Sequence, residues 1–258
     1  MSSDSTIICG DNREVMRGMA ENSVNCIITS PPYNVGIKYS DWDDKLSADA
    51  YWSFITEALQ ECYRVLKPDG RIAINVPYEV SAKGREGRIF IAAELWARMK
   101  SCGFRWAGIV HLKENNAHRV KLTAWGSWLS ASAPYIYNMN ECVLIAYKER
   151  WRRDDKSADK LSKEDFRELV FGEWAYRAET KKWTAANYSL DIPVKALKIL
   201  SYSGDVVMDI FCGSGTTGVA CKQLGRRFLG IDISESYCAV ARERIAGIAV
   251  TRRKRRKA

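Results

Sequence analysis

Val206-Val207-Met208-Asp209-Ile210-Phe211-Cys212-Gly213-Ser214-Gly215-Thr216-Thr217-Gly218 decides the fold class. An apolar run interrupted by a single aspartate passes through a glycine-serine turn into a helical pattern that continues to residue 224. A strand feeding a helix through so short a turn opens a βαβ unit, and residues 227–233 supply its second strand. Gly213, Gly215 and Gly218 satisfy G-x-G-x-x-G, and Asp232 ends the second strand. Glycines let the backbone approach a nucleoside or its tail, and a carboxylate at the next strand end can hold ribose hydroxyls. The same fingerprint also describes a tight turn without a ligand. A dinucleotide site is disfavoured by placement, because only 26 residues follow Asp232, too few for a second nucleotide-binding half.

The rest of the sheet must therefore come from upstream. Short β-rich runs at residues 6–9, 24–29, 71–76, 105–112 and 142–147 join 206–211 and 227–233, making seven strands. Helical patterns cover residues 49–66, 89–100, 193–201, 216–224 and 234–245. This alternation predicts an α/β fold with a doubly wound, mostly parallel seven-stranded sheet. Leu66-Lys67-Pro68-Asp69-Gly70 is expected to stop one helix and turn the chain into the strand at 71–76, with glycine supplying the tight turn. Residues 78–88 and 151–191 fit neither period and are expected to be loops or a small inserted lobe where substrate contacts reside. The expected organisation is one domain over residues 1–250, with an insertion at 151–191 and a basic tail at 251–258.

At the other end of the chain, the strand at 24–29 runs directly into Ser30-Pro31-Pro32-Tyr33. Two prolines remove two backbone donors and hold the chain extended, so the carbonyls of Ser30 and Pro31 can face a ligand. Acceptors beside an aromatic face suit a planar ring that bears an amine, with Tyr33 stacking on it. Taken alone, Pro-Pro-Tyr more often marks a loop or a partner motif.

Composition narrows the classes. A hydrophobic fraction of 47% and a charged fraction of 28% are those of a globular protein. No apolar run is long enough to span a bilayer and no signal-peptide layout opens the chain, so a cytoplasmic protein without a membrane partner is expected. The eight cysteines show no zinc-knuckle spacing, and with only two histidines no metal centre is expected. Most of the cysteines lie in apolar stretches and read as buried, reduced thiols. Of the net charge of +9, six Lys/Arg belong to residues 251–258, which leaves +3 for the rest. Such a tail attracts phosphate backbones, and equally describes a disordered solubilising terminus.

Thr29-Ser30-Pro31-Pro32-Tyr33-Asn34-Val35-Gly36 together with Asp209-Ile210-Phe211-Cys212-Gly213-Ser214-Gly215-Thr216-Thr217 resembles the amino-methyltransferases of DNA, in the group whose catalytic motif precedes its cofactor motif. The likeness spans nearly the whole chain, from Gly10-Asp11 to the cofactor strand. It implies a Rossmann-like methyltransferase fold in circularly permuted order, with 151–191 as a target-recognition region. It implies S-adenosylmethionine as cofactor, bound by Asp11, Asp209, Phe211, Gly213, Ser214, Gly215, Thr216 and Asp232. Ser30, Pro31, Pro32 and Tyr33 become the catalytic turn. In that family the serine form generally accompanies transfer to cytosine N4, and Asp or Asn in its place accompanies adenine N6. Cytosine is therefore expected, with adenine the alternative, and a non-catalytic nucleic-acid-binding protein of the same fold the reading from another class. Where many relatives carry a His-Pro pair, this chain reads Asn187-Tyr188-Ser189, so no cofactor contact carries over there. Double-stranded DNA is the implied partner; a homodimer and a companion restriction endonuclease, in a bacterial, archaeal or phage source, are what restriction-modification relatives would add.

Such transfer needs alignment more than a strong base, and acceptors on the amine hydrogens localise its lone pair. Methylation of the cytosine ring carbon would require a Pro-Cys nucleophile, and no proline here precedes a cysteine. Zinc-dependent deamination would require a ligand cluster that the spacing does not offer. The base must leave the duplex, so cations should grip DNA around the site. Candidates are Lys38, the stretch 111–121 with Lys113, His118, Arg119 and Lys121, and Trp151-Arg152-Arg153.

Overall fold

The computed structural model describes residues 5–80, 88–114, 127, 130–134, 138, 140–155, 161–180, 183–186 and 188–247. In chain order the strands are β1 (Ser5–Cys9), β2 (Val24–Thr29), β3 (Leu66–Pro77), β4 (Arg105–Glu114), β5 (Glu141–Tyr147), β6 (Glu173–Tyr176), β7 (Val206–Asp209) and β8 (Arg227–Asp232). The helices are α1 (Asn12–Arg17), α2 (Ala48–Val65), α3 (Ile91–Ser101), α4 (Lys163–Val170), α5 (Asp191–Leu200), α6 (Thr216–Leu224) and α7 (Glu235–Ala246).

All eight strands form one sheet in the order β1-β8-β7-β2-β3-β5-β4-β6. Only β5 runs antiparallel, to β3 and to β4; the other pairings are parallel. β2 is buried at every position, as a central strand covered on both faces must be. Successive residues serve opposite faces. Ile27, Ile72 and Ile74 pack with α2 and α3, whereas Cys26, Ile28 and Ala73 pack with α5, α6 and α7. This is the doubly wound arrangement the sequence predicts.

The seven expected strands are present and an eighth, β6, lies inside the stretch expected to be loop or lobe. Its four residues alternate exposed and buried too briefly to show a period. Trp174 anchors it, fully buried, with its indole N–H donating to the Leu169 carbonyl at 2.9 Å. The short α1 and the highly charged α4 also escaped the periodicity, although Ser162 caps α4 by accepting from the Asp165 amide at 3.0 Å. The turn at Gly70 differs from expectation. Its φ is not positive, and the glycine is required instead because a Cβ would lie 2.8 Å from the Lys67 carbonyl oxygen. The chain bulges there, so that Val24 pairs with Leu66 while Cys26 pairs with Arg71.

At the amino ends of the parallel strands the sheet is tied by buried charge. Arg153 pairs with Asp205 at 2.5 Å and with Asp155, and lies over the Tyr202 ring at 4.4 Å. Lys148 donates to the carbonyl of Leu66 and the side chain of Asn22, both at 2.9 Å. Six of the eight cysteines are buried, and all eight are free thiols. Among the described residues no helix is long and apolar enough to cross a membrane.

Candidate active site

β2 and β7 are adjacent and parallel, so the turns that follow them leave the sheet at the same edge. Directly beneath those turns, Thr29 Oγ1 donates to Asp209 Oδ1 at 2.6 Å and Thr217 Oγ1 donates to Asp209 Oδ2 at 2.6 Å. Asp209 is wholly buried; burial pushes its carboxyl up to about 6, against the opposing pull of the two threonines and the Phe211 amide. Tyr188 shares a hydrogen bond with Thr217, which extends the chain of contacts to the segment before α5. Asp209 thus locks the proline turn to the glycine turn from below and does not itself line the cleft above.

That cleft has a volume of about 340 Å³. Ser30, Pro31, Pro32 and Tyr33 line one part of it, and Asp11, Phe211, Gly213, Ser214, Thr216 and Asp232 line another. The early and late motifs, some 180 residues apart, share one cavity. A model of the N6/N4 DNA methylases matches residues 24–243, which contain both turns. The chain belongs to the DNA methylase family.

Its relatives cover similar ground. The type II methyltransferase M.MjaVI of Methanocaldococcus jannaschii is 35% identical over 164 residues, 64% of this chain and 82% of that one. The structure of the Thermus thermophilus protein TTHA0409 complexed with S-adenosyl-L-methionine superposes with a TM-score of 0.73 at 26% identity, covering 94% of this chain and 93% of the other. The PvuII DNA methyltransferase, described as cytosine-N4-specific, shares the fold with a TM-score of 0.72 at 18% identity, over 96% of this chain and 89% of that one.

At the glycine end of the methylase cleft, Asp232 Oδ2 accepts from the Gly213 amide at 2.7 Å and Oδ1 from the Ser234 amide at 3.0 Å. A carboxylate has about four acceptor positions, so lone pairs remain for a ligand. Burial raises its pKa while the two amides lower it. The glycines divide their labour. Gly213, at φ +50°, meets nothing closer than 4.0 Å where a Cβ would stand, which leaves open space over the turn. Gly215 is needed for packing, since its Cβ would lie 2.8 Å from Ala241 Cβ, and it does not reach the cleft. Ser214 is held from behind by Arg244, whose guanidinium donates to its carbonyl at 2.6 Å and lies 4.5 Å from the Trp183 ring. Asp11 caps α1 and gives its carboxylate to Arg13 at 2.7 Å, which holds its pKa below the usual range. Its contribution to the lining is that of a residue already paired.

Asn12 has no sequence signal, yet it lines the cleft. Its amide N–H donates to the Ile210 carbonyl at 3.0 Å, and its buried Oδ1 has no partner among the described residues. Phe211 meets Phe54 edge-on at 5.9 Å, and Phe54 meets Trp42 at 4.6 Å, forming an apolar wall. Gly213 with space above it, a partly engaged Asp232, an orphan amide oxygen and this aromatic wall together fit a nucleoside with a polar tail.

At the proline end, Ser30 Oγ shares a hydrogen bond with Tyr33 OH at 2.8 Å, and both hydroxyls reach the Asn75 carbonyl, at 3.2 and 3.4 Å. Burial pushes the Tyr33 phenol well above its usual range, so it stays neutral. Tyr51 donates to the Pro32 carbonyl at 2.9 Å. After the turn, buried Asp44 gathers four consecutive amides: Asn34 at 2.8 Å, Val35 at 3.0 Å, Gly36 at 2.9 Å and Ile37 at 3.0 Å. Asn34, at φ 57°, clamps Leu46 through both amide atoms. Nothing in the spacing of residues 34 to 44 announces that nest, which forms only once the loop closes.

The expected DNA contacts fare unequally. Lys38 is exposed and precedes Tyr39, a lining residue, so it stands by the rim. Lys113, on β4, is exposed and 3.7 Å from Glu173. His118, Arg119 and Lys121 lie outside the described residues. Arg153 is corrected: it is buried in ion pairs at the opposite sheet edge and cannot grip a phosphate. Within the expected insertion at 151–191, Trp174 is core, Tyr176 lines the cleft and Trp183 backs Arg244. Tyr188 and Ser189 line the cleft where the His-Pro pair of relatives is missing. Folding also brings Cys9, Glu235 and Cys238 within 4.8 Å of one another, which sequence spacing could not reveal. Each is engaged, Cys9 with the Ile233 carbonyl, Glu235 with Arg242 and Cys238 with the Asp232 carbonyl.

Proposed function

We propose that the protein transfers the methyl group of S-adenosylmethionine to the exocyclic N4 amine of a cytosine flipped out of double-stranded DNA. The observation that carries this reading is the single cleft in which Ser30-Pro31-Pro32-Tyr33 faces Gly213 and Asp232, the two turns being bolted together by Thr29 and Asp209. Asp232 and the Gly213 turn hold the nucleoside, with Phe211 against it. Bound S-adenosylmethionine supplies a methyl carbon activated by an adjacent sulfonium charge.

The chain's own part is positioning and charge placement. With Ser30 Oγ donating to the Asn75 carbonyl, a lone pair remains to accept an amine hydrogen. The Pro31 carbonyl, to which no described residue donates, accepts the other. These acceptors draw the amine lone pair out of the ring and face the positive charge that develops on nitrogen. Tyr33, its hydroxyl held at Ser30 and Asn75, offers its ring as a stacking platform of fixed orientation. The serine heading the turn supports cytosine over adenine. We further assign target recognition to the part of the segment 151–191 that lines the cleft, Lys38 and Lys113 to the DNA approach, and backbone attraction to the tail at 251–258.

Duplex DNA incubated with methyl-tritiated S-adenosylmethionine and digested to nucleosides tests the reading. Label is expected in N4-methylcytosine. Label confined to N6-methyladenine would overturn the base assignment, and absence of transfer to any DNA would overturn the activity.

A further inference from the structure

Glu141 is one of several carboxylates that line the cleft. Glu141 opens β5, the antiparallel strand, so its amino end lies at the edge where β3 and β4 end; Glu141 pairs with Pro77 on one side and Leu112 on the other. It lines the same cleft as Ser30, Pro31 and Tyr33. Its Oε2 accepts from Asn75 Nδ2 at 2.9 Å, and the carbonyl of that same Asn75 receives the Ser30 and Tyr33 hydroxyls. Asn75 therefore holds the carboxylate and the catalytic turn in one register. Oε1 of Glu141 has no hydrogen-bond partner among the described residues, and none of the described cations pairs with it.

Such a carboxylate is a costly structural element, because a half-buried charge without a cation gains little from its fold. The groups facing it deepen the cost. Tyr33 from the turn after β2, Tyr176 from β6, Glu114 from β4 and the neighbouring Cys142 thiol are neutral or negative. Burial, with Glu114 adding to it, raises the Glu141 carboxyl above its ordinary range while Asn75 pulls it down. A carboxylate so placed is a better proton acceptor than one in water.

We propose that Glu141 is a catalytic residue of the base subsite, its Oε1 accepting the proton that the target amine must lose. The inference rests on the amine-methylation reading above. As the new N–C bond forms and the C–S bond of the donor breaks, its electron pair staying on sulfur, the amine nitrogen becomes positive. One N–H bond then breaks, its pair returning to nitrogen and its proton passing to Glu141 Oε1, from which it is released to solvent. Ser30 and Pro31 orient the amine; Glu141 discharges it.

Single-turnover rates across pH for wild type, E141Q and E141D decide the matter, alongside cofactor affinity by calorimetry and infrared titration of the carboxyl in protein without ligands. For wild type, the rate should rise with pH along a limb set by the Glu141 carboxyl, at a value above the ~4.3 of a free glutamate, and the infrared titration should show a carboxyl with that same value, absent from E141Q. E141Q should lose about 10²-fold or more in rate, the scale of general base catalysis, lose the limb, and bind cofactor as wild type does. E141D should recover part of the rate and keep a limb. An E141Q rate within about threefold of wild type, or a slow E141Q that retains the limb, would overturn the proposal while leaving methylation intact. Should E141Q fail to fold, E141D alone decides: a limb that does not move with the shorter carboxylate overturns it. A wild type that methylates no DNA would instead defeat the underlying reading.

Discussion

Thr29→Val tests the bolt between the two turns. The substitution keeps the β-branched shape at a position only 1% exposed and removes the hydroxyl that donates to Asp209 Oδ1 at 2.6 Å. Asp209 titrates at about 6 in the folded protein against 3.8 for an ordinary aspartate. Between those values the native state holds the extra proton, so stability falls as pH rises through that window, by ~3 kcal/mol at ~1.36 kcal/mol per pH unit. At pH 8 the carboxylate is ionised, and losing a hydrogen bond to a charged group costs ~1.5–3 kcal/mol; at pH 5 it is mostly protonated, and the loss falls to ~0.5–1.5 kcal/mol. The difference of ~1 kcal/mol corresponds to Asp209 being pushed up by a further ~0.7. Urea unfolding of wild type and variant at both pH values measures it, and at pH 8 a Tm lower by ~4–8 °C is expected for a loss of ~2 kcal/mol. An equal loss at both pH values, or one below ~0.5 kcal/mol at pH 8, would refute the idea that a buried, ionised Asp209 joins the motifs.

Asp232→Ala should weaken cofactor binding by at least ~10-fold, the equivalent of ~1.4 kcal/mol, with little change in Tm; calorimetric affinity equal to wild type would remove Asp232 from the nucleoside site. Asp44→Asn replaces an acceptor of four amides with a group that repels some of them, so hydrogen exchange at residues 34–37 should accelerate and turnover should fall more than cofactor affinity. Unchanged exchange would show that the nest is not what orders the loop. Arg153→Met leaves Asp205 buried without its cation and should cost ~3–5 kcal/mol of stability without altering DNA affinity. A variant that lost DNA binding but kept its stability would return Arg153 to the nucleic-acid surface.

The periodicity of the chain was enough to establish the class of fold and two ends of one chemistry. Seven strands, five helices and the two turns carry local signals: continuous apolar runs such as 24–29, glycines beside a buried strand, and two prolines at a strand end. These signals are short-range and survive in one dimension because backbone preference and burial act residue by residue. Asn75 came nearest to a missed signal, a polar residue inside the apolar run of β3, but nothing local says what it holds.

What tertiary structure alone decided are the pairings. The adjacency of β2 and β7, whose hydrogen-bonded Thr29 and Asp209 are 180 residues apart in the chain, places Ser30 and Gly213 on one rim and lets Thr29 reach Asp209. The same sheet order sends Arg153 to the far edge, makes β6 a strand, and delivers Glu141 to the cleft from a strand running the other way. Each of these depends on contacts between residues remote in sequence, whose free energy exists only once the intervening chain has closed. Composition and local pattern cannot encode them individually, because a lysine, arginine or glutamate has the same propensity whether its partner is solvent, a buried aspartate or the edge of a base.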